Sequence, residues 1–172
     1  MPISDIYTGR VSGTAVTVST ANPILSLLAA GTAGTAFLKR LYVVGIRVDI
    51  ITTTAVAGNN VLFQLARNTA GASTAANLVS GNAHDYYAGV NAPSLGQVAT
   101  SWTSAPPAVG TVLWEQELPQ TTGSSWEEFP PAGYEWQVPA IANQTANAGL
   151  HVFVTQSSTV STTYNVDLIW SE

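Results

Sequence analysis

From residue 38 to residue 50 the chain alternates with a period of two. Leu38, Tyr42, Val44, Ile46, Val48 and Ile50 take the even positions, with Arg40 among them, while Lys39, Arg47 and Asp49 take odd ones. Successive side chains of a strand point to opposite faces, so this pattern makes one face dry and one wet. A helix would scatter the same residues around its axis. The pattern recurs. Tyr164, Val166, Leu168 and Trp170 alternate with Thr163, Asn165, Asp167 and Ser171. Val61, Phe63 and Leu65 repeat it, as do Leu150, Val152 and Val154; Val112 and Trp114; Tyr134, Trp136 and Val138; and Val16 with Val18. These spacings place Tyr42, Phe63, Trp114, Tyr134, Trp136, Tyr164 and Trp170 on the inward face.

Turn-forming clusters separate the runs: Ala57-Gly58-Asn59-Asn60, Ala70-Gly71-Ala72-Ser73, Ser80-Gly81-Asn82, Pro106-Pro107, Thr122-Gly123-Ser124 and Pro130-Pro131-Ala132-Gly133. Glycine, proline and asparagine favour the backbone angles of tight turns. The apolar run 23–30 reads as a strand, because the Gly-rich stretch 31–36 stops it too soon for a helix. No long helical periodicity appears. The chain therefore reads as one all-β domain, an antiparallel β-sandwich of about eight to ten strands with jelly-roll order. An immunoglobulin-like sandwich is the alternative, but the chain is long for one and lacks the cysteines. Residues 1–10 read as an N-terminal arm reaching a neighbour, and 11–172 as the sandwich.

Charge is scarce. Asp, Glu, Lys and Arg form 9% of the residues, against about 25% in an ordinary soluble domain. Segments 11–38, 86–114 and 136–166 carry none. Glycine, proline and hydroxyl residues break these segments, so none offers the roughly 20 consecutive apolar positions of a membrane span. Five basic residues against ten acidic ones cannot line a nucleic-acid groove or a membrane-binding face. With no cysteine, disulfides, thiolate metal sites and cysteine nucleophiles are excluded. The opening Met1-Pro2-Ile3-Ser4-Asp5 has neither the basic nor the apolar segment of a secretory leader.

Few residues suggest chemistry. His84-Asp85 lacks further ligands nearby, and His151 falls on an outward position between core residues. No Gly-x-Ser-x-Gly elbow occurs, and Gly31-Thr32-Ala33-Gly34 lacks the Gly-Lys-Ser/Thr of a phosphate loop. No cofactor or metal site is expected. Glu115 and Glu117 share a strand face, Glu127 and Glu128 follow in a loop, and Glu135 opens another strand. Paired carboxylates can serve a glycosidase or hold calcium, but outward glutamates on a sheet are commonly just solvated. These five acids stand apart from the basic cluster Lys39, Arg40 and Arg47, a sorting that suits docking between copies or on a charged partner. Tyr86, Tyr87, Trp102, Trp126 and Phe129 lie in or beside loops, where aromatics anchor interfaces or stack on sugars.

Three passages carry a family likeness: Phe37-Leu38-Lys39-Arg40-Leu41-Tyr42-Val43-Val44; Trp126-Glu127-Glu128-Phe129-Pro130-Pro131-Ala132-Gly133-Tyr134-Glu135-Trp136; and Tyr164-Asn165-Val166-Asp167-Leu168-Ile169-Trp170-Ser171-Glu172. From about Phe37 onward the chain resembles the small jelly-roll virion proteins of tailed bacteriophages, the decoration or cement proteins and head-fibre domains. The resemblance implies a non-enzymatic sandwich, commonly a trimer, on the capsid exterior. Its partner would be the major capsid protein or another virion protein, and it supplies no catalytic residues. A head-fibre module binding host glycans is the alternative it implies.

Overall fold

The computed structural model describes residues 6–16, 23–29, 41–54, 58–68, 78–80, 82–83, 96–100, 108–138 and 149–172. The strands are β1 (Ile6–Val16), β2 (Pro23–Ala29), β3 (Tyr42–Thr53), β4 (Asn60–Asn68), β5 (Leu78–Ser80), β6 (Asn82–Ala83), β7 (Gly96–Ala99), β8 (Thr111–Pro119), β9 (Ser125–Glu128), β10 (Trp136–Gln137), β11 (Gly149–Gln156) and β12 (Thr162–Ser171). Among the described residues there is no helix.

Two antiparallel sheets pack face to face. The first runs β10-β3-β12-β1-β6, with β9 also paired to β3; the second runs β5-β7-β2-β11-β4-β8. Consider the long strands and β9 alone: β1, β2, β3, β4, β8, β9, β11 and β12. In that chain order the first sheet reads first-eighth-third-sixth and the second reads second-seventh-fourth-fifth, which is jelly-roll order. The short strands β5, β6 and β7 only widen the sheets at the opposite side from β8 and β9.

The N-terminal expectation needs correction. Ile6–Arg10 is not an arm but the first half of β1, paired residue by residue with β12 from Ile6↔Ser171 to Arg10↔Asp167. Residues 1–5 lie outside the described part.

The shared core takes Val43, Ile46, Val48 and Ile50 from β3, Tyr164, Val166, Leu168 and Trp170 from β12, and Leu25, Leu27, Val61, Phe63, Leu65, Leu150, Val152 and Val154 from the facing sheet. Each fully buried large aliphatic or aromatic side chain contributes about 1.5–3 kcal/mol. Trp170 is completely buried and stacks on Tyr7, with centroids 6.1 Å apart. Phe63 meets Tyr164 edge-on at 5.4 Å. The sheets approach closely at Gly9 and Gly96. A Cβ on Gly9 would lie 2.2 Å from Val98 Cγ2, and one on Gly96 would lie 2.6 Å from Trp170 Nε1.

The period of two is broken at bulges, and there the sequence expectation fails. Between Ile169 and Trp170 the β3 register skips Val44. Beyond that point Val43 and Leu41 turn inward, leaving Tyr42 only half-buried. A second bulge skips Leu113 between β4 and β8, and Val112 becomes 38% exposed. An extra residue reverses the facing of everything beyond it.

One end of the sandwich is closed by polar side chains. The Tyr164 hydroxyl donates to Gln156 Oε1 at 2.5 Å, and Gln156 Nε2 donates to the Val160 carbonyl at 2.7 Å. Gln120 Nε2 donates to Thr162 Oγ1 at 2.8 Å, while Ser158 Oγ donates to Gln120 Oε1 at 2.7 Å. This network ties the β11–β12 hairpin to the short crossing from β8 to β9. Gln120 and Thr162 are fully buried, so each bond also prevents an unsatisfied polar atom.

The centre of the second sheet is buried on both faces. Leu150, Val152 and Val154 face the core, while His151 and Phe153 point the other way and are also buried. Ser26, Leu28, Ala66 and Ala99 share that outer face, again buried. His151 is thus outward in the pleat as expected, yet it is not at the surface. Its Nδ1 lies 2.8 Å from Ser26 Oγ.

Two outcomes follow. Gly9→Ala forces Val98 or Trp170 to move and should lower stability by about 1–3 kcal/mol in urea unfolding. Burial pushes the Tyr164 phenol up to about 12. Because the fold favours the neutral phenol, this stabilisation is whole below pH 10 and is lost as pH rises towards 12. Wild-type stability should fall by about 2–3 kcal/mol over that window, and Tyr164→Phe should flatten the fall.

Candidate functional site

The side of the sandwich formed by β8, β9 and β10 gathers most exposed aromatic surface of the described residues. Trp126 is 42% exposed, Phe129 55% and Tyr134 77%. Behind them Trp114 and Trp136 are half-buried, with ring centroids 6.5 Å apart, and they pack on the core.

Each aromatic is placed by a different local device. Trp126 lies opposite Val48 in the β3–β9 ladder, so it points to the same face as the buried Val48, towards the second sheet. It stays exposed because β8 is the last strand of that sheet. Its indole N–H donates to Glu128 Oε2 at 3.3 Å. Phe129 lies against Gly45 and Ile169, and a Cβ on Gly45 would come within 2.6 Å of its ring. Tyr134 was expected in the core, and the structure corrects this. Its amide donates to the Pro131 carbonyl at 2.9 Å, and Gly133 takes φ +90°, so Tyr134 closes a tight turn before β10 begins. The Pro-Pro-Ala-Gly signal was visible, and it extends to Tyr134 rather than stopping at Gly133. The Gly133 amide donates to Glu135 at 2.8 Å, which lowers the Glu135 carboxyl below the usual range.

The acidic residues divide between the two sheets. Glu127 and Glu128 belong to β9, not to a loop. Glu135 lies just before β10. Glu115 and Glu117 lie exposed on β8, bonded to neutral amides: Gln64 Nε2 at 3.3 Å and Asn60 Nδ2 at 3.0 Å. Among the described residues no three His, Asp or Glu side chains converge on a point that could hold a metal ion.

The expected sorting of charge is corrected at Arg47. In the ladders of the first sheet, Arg10 pairs with Asp167, Asp167 with Arg47, and Arg47 with Glu127. A row of alternating sign therefore crosses β1, β12, β3 and β9 on the outer face. Arg10 donates to Asp167 through Nε and Nη2 at 2.5 and 2.7 Å, and this bond raises the Arg10 pKa. Arg47 Nε also donates to Asp49 at 3.1 Å. Opposite charges at facing positions contribute about 0.2–1 kcal/mol each and disfavour any slipped register. Of the sequence candidates, Arg47, Glu127, Glu128, Trp126 and Phe129 come together around β9. Glu115 and Glu117 lie on the neighbouring edge of the second sheet. Lys39, Arg40, Tyr86, Tyr87, Trp102 and His84 lie outside the described residues.

A shallow cavity of about 320 Å³ opens on the outer face of the second sheet, lined by Gly58, Asn60, Leu62, Glu117, Thr155, Gln156 and Ser157. Sequence reading missed it, because its residues come from β4, β8 and β11 and share no motif.

No protein-family model, curated protein or solved structure matched this chain.

If the aromatic edge serves contact rather than folding, Tyr134→Ser should leave stability within about 0.5 kcal/mol of wild type. Thermal unfolding measures this.

Proposed function

We propose that this chain is a structural virion protein, a homotrimeric jelly roll that decorates or cements the exterior of a phage head. The observation that carries this reading is the exposed aromatic edge, Trp126, Phe129 and Tyr134, on a sandwich with very few charges. Exposed aromatics supply much of the binding energy of protein interfaces. Jelly rolls build viral capsid proteins, an argument by fold analogy. The mechanism is mass action: a chain that binds the assembled shell, and not its dissociated subunits, stabilises the shell in proportion to occupancy. Purified chain should rebind heads stripped of it and raise their resistance to heat. Trp126→Ser/Phe129→Ser/Tyr134→Ser chain should not. Rebinding by the triple variant equal to wild type would refute this surface, and no rebinding by wild type would refute the role.

The cavity at Asn60 and Glu117 favours a second reading, a head-fibre module that binds host glycans. An amide, a carboxylate and hydroxyl side chains around Leu62 suit a polyhydroxylated ligand. Glycan-array binding lost in Asn60→Ala would select this reading over cement.

A further inference from the structure

Among the described residues the outer edge of β8 is open. β8 is nine residues long and ends its sheet, with no ladder partner on its far side among the described residues. The Gln120 amide donates to the Asn59 carbonyl at 2.9 Å. Antiparallel pairs alternate between bonded and non-bonded, so the backbone groups of Gln116 and Leu118 turn to β4. Those of Glu115 and Glu117 turn to the open side. Two observations agree. The Glu117 carbonyl is occupied by the side-chain amide of Gln116, at 2.8 Å, as an acceptor without a strand partner would be. Pro119, which has no N–H, falls on the same outward-turned phase, where a sheet edge tolerates it.

The two faces beside this edge differ. On the outer face stand the exposed carboxylates of Glu115 and Glu117, bonded only to neutral amides. On the inner face Trp126 looks from β9 towards the second sheet and stays 42% exposed at the β8 border. A strand added there would set alternate side chains against carboxylates and against the indole.

We infer that β8 binds an extended segment of a partner protein in which Lys or Arg alternates with apolar residues, by strand addition. Basic side chains meet Glu115 and Glu117, and apolar ones cover Trp126. A second copy of this chain is a poor occupant, because antiparallel pairing of β8 with itself brings glutamates opposite glutamates or against apolar residues. The inference deepens the protein-contact reading above by naming the partner's local chemistry. It is tested on the isolated chain, so its failure leaves the particle experiment untouched.

The probe is a capped nine-residue peptide of alternating lysine and valine. Controls are the glutamate–valine counterpart and a lysine–valine peptide N-methylated on its bonding edge. Amide hydrogen exchange at Glu115 and Glu117 is followed together with Trp126 fluorescence, using Trp126→Phe as the blank. Lysine–valine should slow exchange at both amides by about tenfold or more and shift the emission, while both controls do neither. Glu115→Lys/Glu117→Lys should prefer the glutamate–valine peptide, and Glu115→Gln/Glu117→Gln, which keeps the shape, should lose the preference for either sign. Absence of protection overturns the inference. Equal protection by the N-methylated peptide overturns it in favour of charge attraction alone. Protection that grows with protein concentration and no peptide overturns it in favour of a second copy.

Discussion

The structure depends on how closely the two sheets approach around Trp170. That indole projects from the middle of the first sheet and is fully buried. It fits because Gly9 and Gly96 leave no side chain in its way. Val98, from the second sheet, descends onto Gly9 beside it. Interiors pack at crystal-like density, so this contact fixes which face of β12 looks inward. A slip of one residue would put Asp167 and Asn165 in the core and Trp170 in water. The position of Trp170 therefore sets the register of β1 and β3 on either side.

The outer face of that sheet follows from the same register. Holding Trp170 inward holds Asp167 outward, between Arg10 and Arg47, and Arg47 in turn meets Glu127 of β9. Four charges are spent on one row, in a chain that has few. Scarcity of charge thus has a clearer meaning than an absence of solvation. The ions of this sheet are concentrated where they align four strands, and hydroxyl and amide side chains occupy much of the remaining outer face. In the second sheet the centre of the outer face is instead buried, around His151, Ser26 and Phe153.

The strands and their order were largely legible, because period-two alternation and turn residues are local signals. The core of β12 and the strand at Pro23–Ala29 could be read directly. Bulges could not. The extra residues at Val44 and Leu113 are apolar residues in apolar runs, and nothing local marks them as skipped. They reversed the facing of Tyr42 and Val112. β9 was hidden because Ser125–Glu128 has little β-propensity and is a strand only because β3 templates it. The cation–anion row was invisible for a deeper reason: Arg10, Arg47, Glu127 and Asp167 are far apart in sequence, and only the ladder brings them together. Tyr134 fitted the alternation, but the tight turn that precedes β10 claimed it first.

The surface proposed for contact is what this register leaves over. β9 borders the first sheet and β8 ends the second, and at this margin Trp126 is exposed on the inner face, Phe129 on the outer face over Gly45, and Tyr134 in the turn before β10. In the proposed role this border is where the chain meets another protein. The decisive measurement is an image, resolved to side chains, of the chain bound to the phage head proposed for it. Partner density is expected along the open edge of β8 and over Trp126. A particle in which that edge and the three exposed aromatics face solvent would contradict it.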